Sequence, residues 1–213
     1  MIAIAICLAV TTIFSSCNRE NEPDILIDPE LLTDAGVVIN GIRWATHNVD
    51  APGTFTRNPE DAGMFYQWNR RVGWSSTDPL INSNGGTEWD NTRPGGAYWT
   101  RANCPCPQGW RVPTVEELQS LLNAIGELTI QNGVYGRFFG TTPYKLFLPA
   151  SDGRGHNGNL SSPQIWGGYW SNERTDGINH SITAHYLIIT RTFNVITHNN
   201  CWVGRSVRCV SDN

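Results

Sequence analysis

The sequence predicts an α+β domain. Three observations carry that prediction: an Asn-Gly hairpin signal at Asn40-Gly41, a marked helix start at Thr114, and many short apolar runs separated by Gly- and Pro-rich loops. Nine Trp, 21 Gly and 12 Pro beside a single lysine, Lys145, exclude a helical bundle or a coiled coil. The length of 213 residues fits one large domain or two small ones. Its 39% apolar content suffices for a core. The net charge of -4 excludes nucleic acid as the main partner, because phosphate binding needs a basic surface.

Residues 2–14 form an apolar run too short to span a bilayer as a helix, followed at once by Ser15-Ser16-Cys17. This predicts a signal peptide over 1–16. Phe14-Ser15-Ser16-Cys17 resembles the bacterial lipobox, which implies that Cys17 is acylated, palmitate included, and anchors the chain to a membrane. Residues 18–34 hold six acids and one base, so their charge of -5 leaves 35–213 near +1. The acidity is therefore assigned to a solvated tether over 17–35. Acids placed just after a lipidated cysteine resemble surface-export signals, which implies an outer-membrane lipoprotein facing outward.

With Cys7 in the signal and Cys17 lipidated, Cys104, Cys106, Cys201 and Cys209 remain. In an oxidising compartment four cysteines allow three pairings. A Cys104–Cys106 link would be strained, which favours two long bridges from mid-chain to the C-terminus. Zinc competes, but Cys-Pro-Cys lacks the two-residue spacer of common zinc sites.

Along the chain, Val37-Val38-Ile39 and Ile42-Arg43-Trp44 flank Asn40-Gly41 as a hairpin. Residues 51–103 read as irregular structure pinned by aromatics. Thr114 and Glu117 form a T-x-x-E capping box for a helix over 114–125, with Val115, Leu118, Leu121, Leu122 and Ile125 on one face and Gly126 as the stop. Short strands are expected at 128–131 and 145–148, a Gly/Asn/Ser loop at 151–163, and an antiparallel meander from strands at 186–190, 193–196 and 202–210.

Several stretches form an ordered set: Gly41-Ile42-Arg43-Trp44-Ala45-Thr46-His47-Asn48-Val49, Gly63-Met64-Phe65-Tyr66-Gln67-Trp68, Cys106-Pro107-Gln108-Gly109-Trp110-Arg111-Val112-Pro113-Thr114, Leu146-Phe147-Leu148-Pro149-Ala150, Gly168-Tyr169-Trp170-Ser171 and Ser206-Val207-Arg208-Cys209-Val210. The set resembles the Fibrobacter succinogenes major paralogous domain of Bacteroidetes lipoproteins, over residues 36–211. That family is similar to the C-type-lectin-like fold, in which a Cys-Pro-x-Gly-Trp segment leads into a helix and a late cysteine bridges back to it. The resemblance implies Cys106 with Cys209, and with it Cys104 with Cys201. It also implies that Trp44, Trp68, Trp110 and Trp170 are scaffold.

No spacing among the domain's acids suggests paired catalytic carboxylates, and the five His residues include no H-E-x-x-H pattern. The triplets by which lectins of that fold bind calcium and sugar do not occur. Neither a metal nor a cofactor is therefore expected. What remains is a binding surface: Trp74, Trp89, Tyr98, Trp99 and Trp166 from Gly-rich loops, with Asp152, Arg154, His156 and Asn157, could stack on and hydrogen-bond an extracellular glycan or protein. The expected function is a non-catalytic, lipid-anchored binding domain. The alternatives are a structural or tip subunit of a fimbria-like surface assembly and, third, an enzyme of the formylglycine-generating type, which the lectin-like fold also houses.

Overall fold

The computed structural model describes residues 33–161, 166–175 and 182–212. The signal segment, Cys17 and most of the acidic stretch lie outside them. Among the described residues the architecture is α+β: antiparallel sheets with one short α-helix. No helix there is long and apolar enough to cross a membrane.

Strands β1 (Val37–Ile39) and β2 (Ile42–Trp44) pair antiparallel, with Ile39 opposite Ile42. Asn40 and Gly41 both take positive φ, 51° and 80°, as a tight hairpin turn requires. A two-stranded ribbon, β3 (Phe65–Tyr66) and β4 (Gly73–Trp74), follows. After a long irregular stretch and a 3-10 turn at Arg101–Asn103, β5 (Trp110–Arg111) leads into α1 (Val115–Leu122). The helix opens on the expected capping box: the Glu117 N–H donates to Thr114 Oγ1 at 3.2 Å, and the Thr114 N–H donates to Glu117 Oε2 at 2.8 Å.

The helix stops three residues before the expected end. Ile125 is 43% exposed and begins β6 (Ile125–Gln131), which runs into β7 (Val134–Thr141) and β8 (Tyr144–Pro149) as a three-stranded antiparallel sheet. Gly126 is no helix stop. A Cβ there would sit 2.9 Å from the Phe138 carbonyl oxygen, so the residue is small because β7 passes close by.

A second three-stranded sheet takes β9 (Trp166–Arg174), β10 (Thr183–Thr190) and β11 (Asn194–Asn200) in the order β11-β10-β9. The expected strand over 202–210 shrinks to β12 (Val210–Ser211), and it does not join this sheet. β12 lies between β2 and β5, giving the order β1-β2-β12-β5. Residues 204–206 instead make single bridges to Arg154, Tyr66 and Tyr169, which pull this segment across the middle of the molecule.

Two apolar clusters fill the interior. One packs Leu118 and Leu121 of α1 on Trp44, Leu146, Tyr169, Leu187 and Ile189. The other gathers Trp68, Trp99, Trp110, Trp170, Phe55 and the four cysteines 104, 106, 201 and 209. Trp44, Trp68 and Trp170 are fully buried and Trp110 is 8% exposed, so all four are scaffold. The indoles of Trp68 and Trp170 donate to the carbonyls of Ser171 (3.0 Å) and Tyr66 (2.8 Å), the pairing a buried indole needs. Cys106 and Cys209 are disulfide-bonded. The expected second bridge is not formed: Cys104 and Cys201 are free and buried.

The domain begins earlier than the expected boundary at 36. Asp34, assigned to the tether, has a side chain 2% exposed and accepts from the Gly36, Thr46 and His47 backbone N–H groups.

Candidate functional site

The structure does not gather the expected ligand-binding residues. Trp74 and Trp89 pack on each other, ring centroids 4.8 Å apart, and both are buried. Trp99 leans on Trp68 at 6.0 Å and donates its indole N–H to the Asn103 carbonyl. These three rings hold the irregular 51–103 stretch on the core and leave no face for a ligand. Tyr98 alone of that stretch's candidates is open, at 64% exposure.

The polar candidates divide in the same way. Arg154 is fully buried, and its guanidinium donates to the carbonyls of Ser75 (2.8 Å), Thr77 (2.6 Å) and Gly158 (2.6 Å), to Ser75 Oγ and to Asp78. It clamps two loops together and has no capacity left for a ligand. Asp152 is buried beside β9, where it bridges Gly167. His156 and Asn157 are exposed on the loop above Trp89, and Asn157 caps its own turn by accepting from the Asn159 N–H.

Trp166 is the expected residue that reaches a groove, one of about 470 Å³ at the Thr190 end of β10. Strand pleating explains its lining. Leu187 and Ile189 of β10 join the Leu118 cluster, so Tyr186, Ile188 and Thr190 face the other way, where Tyr186 is buried against Trp170 and only its outer side borders the groove. Trp166 stands opposite Thr190 on β9. Phe193 and Arg191, from the turn joining β10 to β11, form the outer wall.

Arg205 forms the inner wall, and nothing in the sequence marked it. Its guanidinium carbon lies 4.5 Å from the Trp166 ring centroid and 5.3 Å from that of Tyr186. A Cβ on Gly168 would come within 2.4 Å of the Arg205 side chain, and one on Gly153 would come equally close. Both glycines are the space the arginine occupies. Burial pushes Arg205 down to about 10, against the favourable influence of Tyr186 and Asp152, and it is still a cation at neutral pH. Its Nε is buried without a hydrogen bond.

A second groove, about 410 Å³, carries Asp50 and Asp61 on one wall. Burial raises Asp50, and the charge of Asp61 adds to the rise. Asp61 accepts from the Asn58 backbone and side-chain amides, and its groove holds Phe55, Thr56, Arg57 and Ser76 but no histidine. The two free thiols are held neutral: burial raises Cys104 and pushes Cys201 up to about 12.

No family model, curated protein or solved structure matches the chain.

Proposed function

We propose that the chain is a non-catalytic binding domain of C-type-lectin-like architecture, held at the outer membrane by lipid on Cys17 and presenting its groove to an extracellular glycan or protein. The carrying observation is the open groove walled by Trp166, Tyr186, Phe193 and Arg205, in which the Phe193 ring is 54% exposed on the outer wall. The ordered segments that resemble the Fibrobacter succinogenes major paralogous domain support the same reading. Protonated, buried thiols are poor nucleophiles, which weighs against the formylglycine-generating alternative. A glycan array and a pull-down from intact cells test the proposal. Binding of a glycan or a protein that is lost in Phe193→Ala supports it, and two negative results with folded protein overturn it.

One observation favours a structural or tip subunit instead. The outer strand β6 exposes Leu128 (41%) and Ile130 (55%) on one face of a sheet edge that has no neighbour among the described residues. Stoichiometric co-purification of a partner, lost on Ile130→Lys, would establish that reading.

A further inference from the structure

We infer that His185 and His198 form a two-histidine site for a late first-row divalent ion, such as Ni²⁺, Cu²⁺ or Zn²⁺, on the face of the β9–β11 sheet turned away from the groove. The site goes beyond the binding-domain reading and does not depend on it.

The strand ladder fixes the pair. β10 and β11 run antiparallel without a register shift from Thr183 opposite Asn200 to Ile189 opposite Asn194, and His185 stands opposite His198. Directly opposed residues project to the same face. Hydrogen-bonded and non-bonded pairs alternate along such a ladder, and two bonds just beyond its ends set the phase. The Thr190 N–H donates to the Phe193 carbonyl at 3.0 Å, and the Cys201 N–H donates to the Ile182 carbonyl at 3.0 Å. Counted inward from either end, the even-numbered residues of β10 take the bonded positions and the histidines fall on a non-bonded one. Non-bonded pairs are the close ones, with Cα atoms about 4.5 Å apart. Two imidazoles at that spacing can each turn a nitrogen onto one ion at the usual distance of about 2.0 to 2.1 Å.

The surroundings leave both rings available. The next pair on this face is Leu187 with Ile196, which packs in the Leu118 cluster, so the histidines stand where the apolar face gives way to solvent. His185 is half-buried and His198 is exposed. Among the described residues the His47 ring is the one with hydrogen-bond partners, Thr46 and Asp34, and neither ring of the pair has any. Imidazole selects nickel, copper and zinc over magnesium and calcium. No group of three His, Cys, Asp or Glu residues able to hold a metal occurs among the described residues, so the pair supplies two ligands and water the others. An ion there would tie β10 to β11 and stabilise the sheet by mass action.

Calorimetry of the full chain with Ni²⁺ and Zn²⁺ tests the site, with electron paramagnetic resonance of the Cu²⁺ complex as a second readout. The expected result is binding that weakens at least tenfold in His185→Asn and in His198→Asn separately and is unchanged in His156→Asn. The Cu²⁺ spectrum should show two imidazole nitrogens. The ion should raise the thermal midpoint of the wild type and not that of the double variant. Unchanged affinity in either single variant overturns the inference, as does coordination by fewer than two imidazoles. An equal loss in His156→Asn means an adventitious ion only and overturns it too. So does the absence of binding to folded wild-type protein, and none of these results touches the binding-domain reading, which the array and the pull-down decide.

Discussion

The Asp34 carboxylate accepts from the backbone N–H groups of Gly36 (2.7 Å) and Thr46 (2.6 Å), from the Thr46 hydroxyl and from the His47 N–H. Burial by itself would raise its pKa, but the bonds to His47, Gly36 and Thr46 outweigh burial and hold it below its ordinary value. A carboxyl lowered in the fold contributes stability that is present above its unfolded pKa and is lost as pH falls through the folded one. Asp34→Ala should therefore cost about 2 kcal/mol in urea denaturation at pH 7. Asp34→Asn should flatten the loss of stability between about pH 5 and pH 2. No change in either would mean that the N-terminal strap is not anchored by this carboxylate. Arg154 makes the complementary case with a cation. Replacing it leaves the Ser75, Thr77 and Gly158 carbonyls without donors, so Arg154→Met should lower stability by about 3 kcal/mol. Arg154→Lys should recover little of it, because an ammonium cannot reproduce the fork. Thermal melts of the two variants decide between that clamp and simple filling of space.

At the scale of elements, the helix start is the most local feature and was the most legible. Thr114 and Glu117 lie within one turn of each other, and Arg111 adds a bidentate pair to Glu117 at 2.6 and 2.7 Å. Thr114→Ala should cost about 1 kcal/mol and leave the rest of the fold intact, a change seen as a lower urea midpoint with an unaltered slope. The hairpin at Asn40-Gly41 was legible for the same reason. Asn132-Gly133 carries the same signal and the same positive φ pair, 48° and 84°, joining β6 to β7, yet β7 itself went unread. Its burial alternates poorly, because Gly136 and Gly140 let neighbouring strands close in, and the pattern that identifies a strand is diluted. The helix end and Gly126 were misread because apolar spacing runs on through Ile125. What ends the helix is the pairing of Ile125 with Phe139, a contact from another part of the chain. Arg205 was illegible for a stronger form of that reason. Its role depends on Trp166, Tyr186 and two glycines, all from other parts of the chain, and composition around it gives no hint.

At the scale of the molecule, the chain's late residues are what hold the two cores in one body. The bridges at 204–206, the β12 pairing and the Cys106–Cys209 bond all return the C-terminus to the centre, and the bond closes a loop of 103 residues. Chain-entropy reasoning assigns such a closure up to about 4 to 5 kcal/mol. Cys104 and Cys201 occupy the same cluster without bonding, and burial raises both thiols, so at neutral pH they pack as small apolar side chains. The native protein should therefore leave both unreactive towards Ellman's reagent at pH 8, although an ordinary exposed thiol reacts there at once. In guanidinium chloride without reductant, two thiols from the domain should appear, mapped by mass spectrometry to the peptides that hold Cys104 and Cys201. The peptides of Cys106 and Cys209 should stay linked. A linked Cys104–Cys201 peptide pair would instead mean that the protein carries the second bridge and that this part of the core rearranges to form it. Rapid labelling of either thiol in the native state would show that the aromatic cluster around Trp68 and Trp99 opens to solvent.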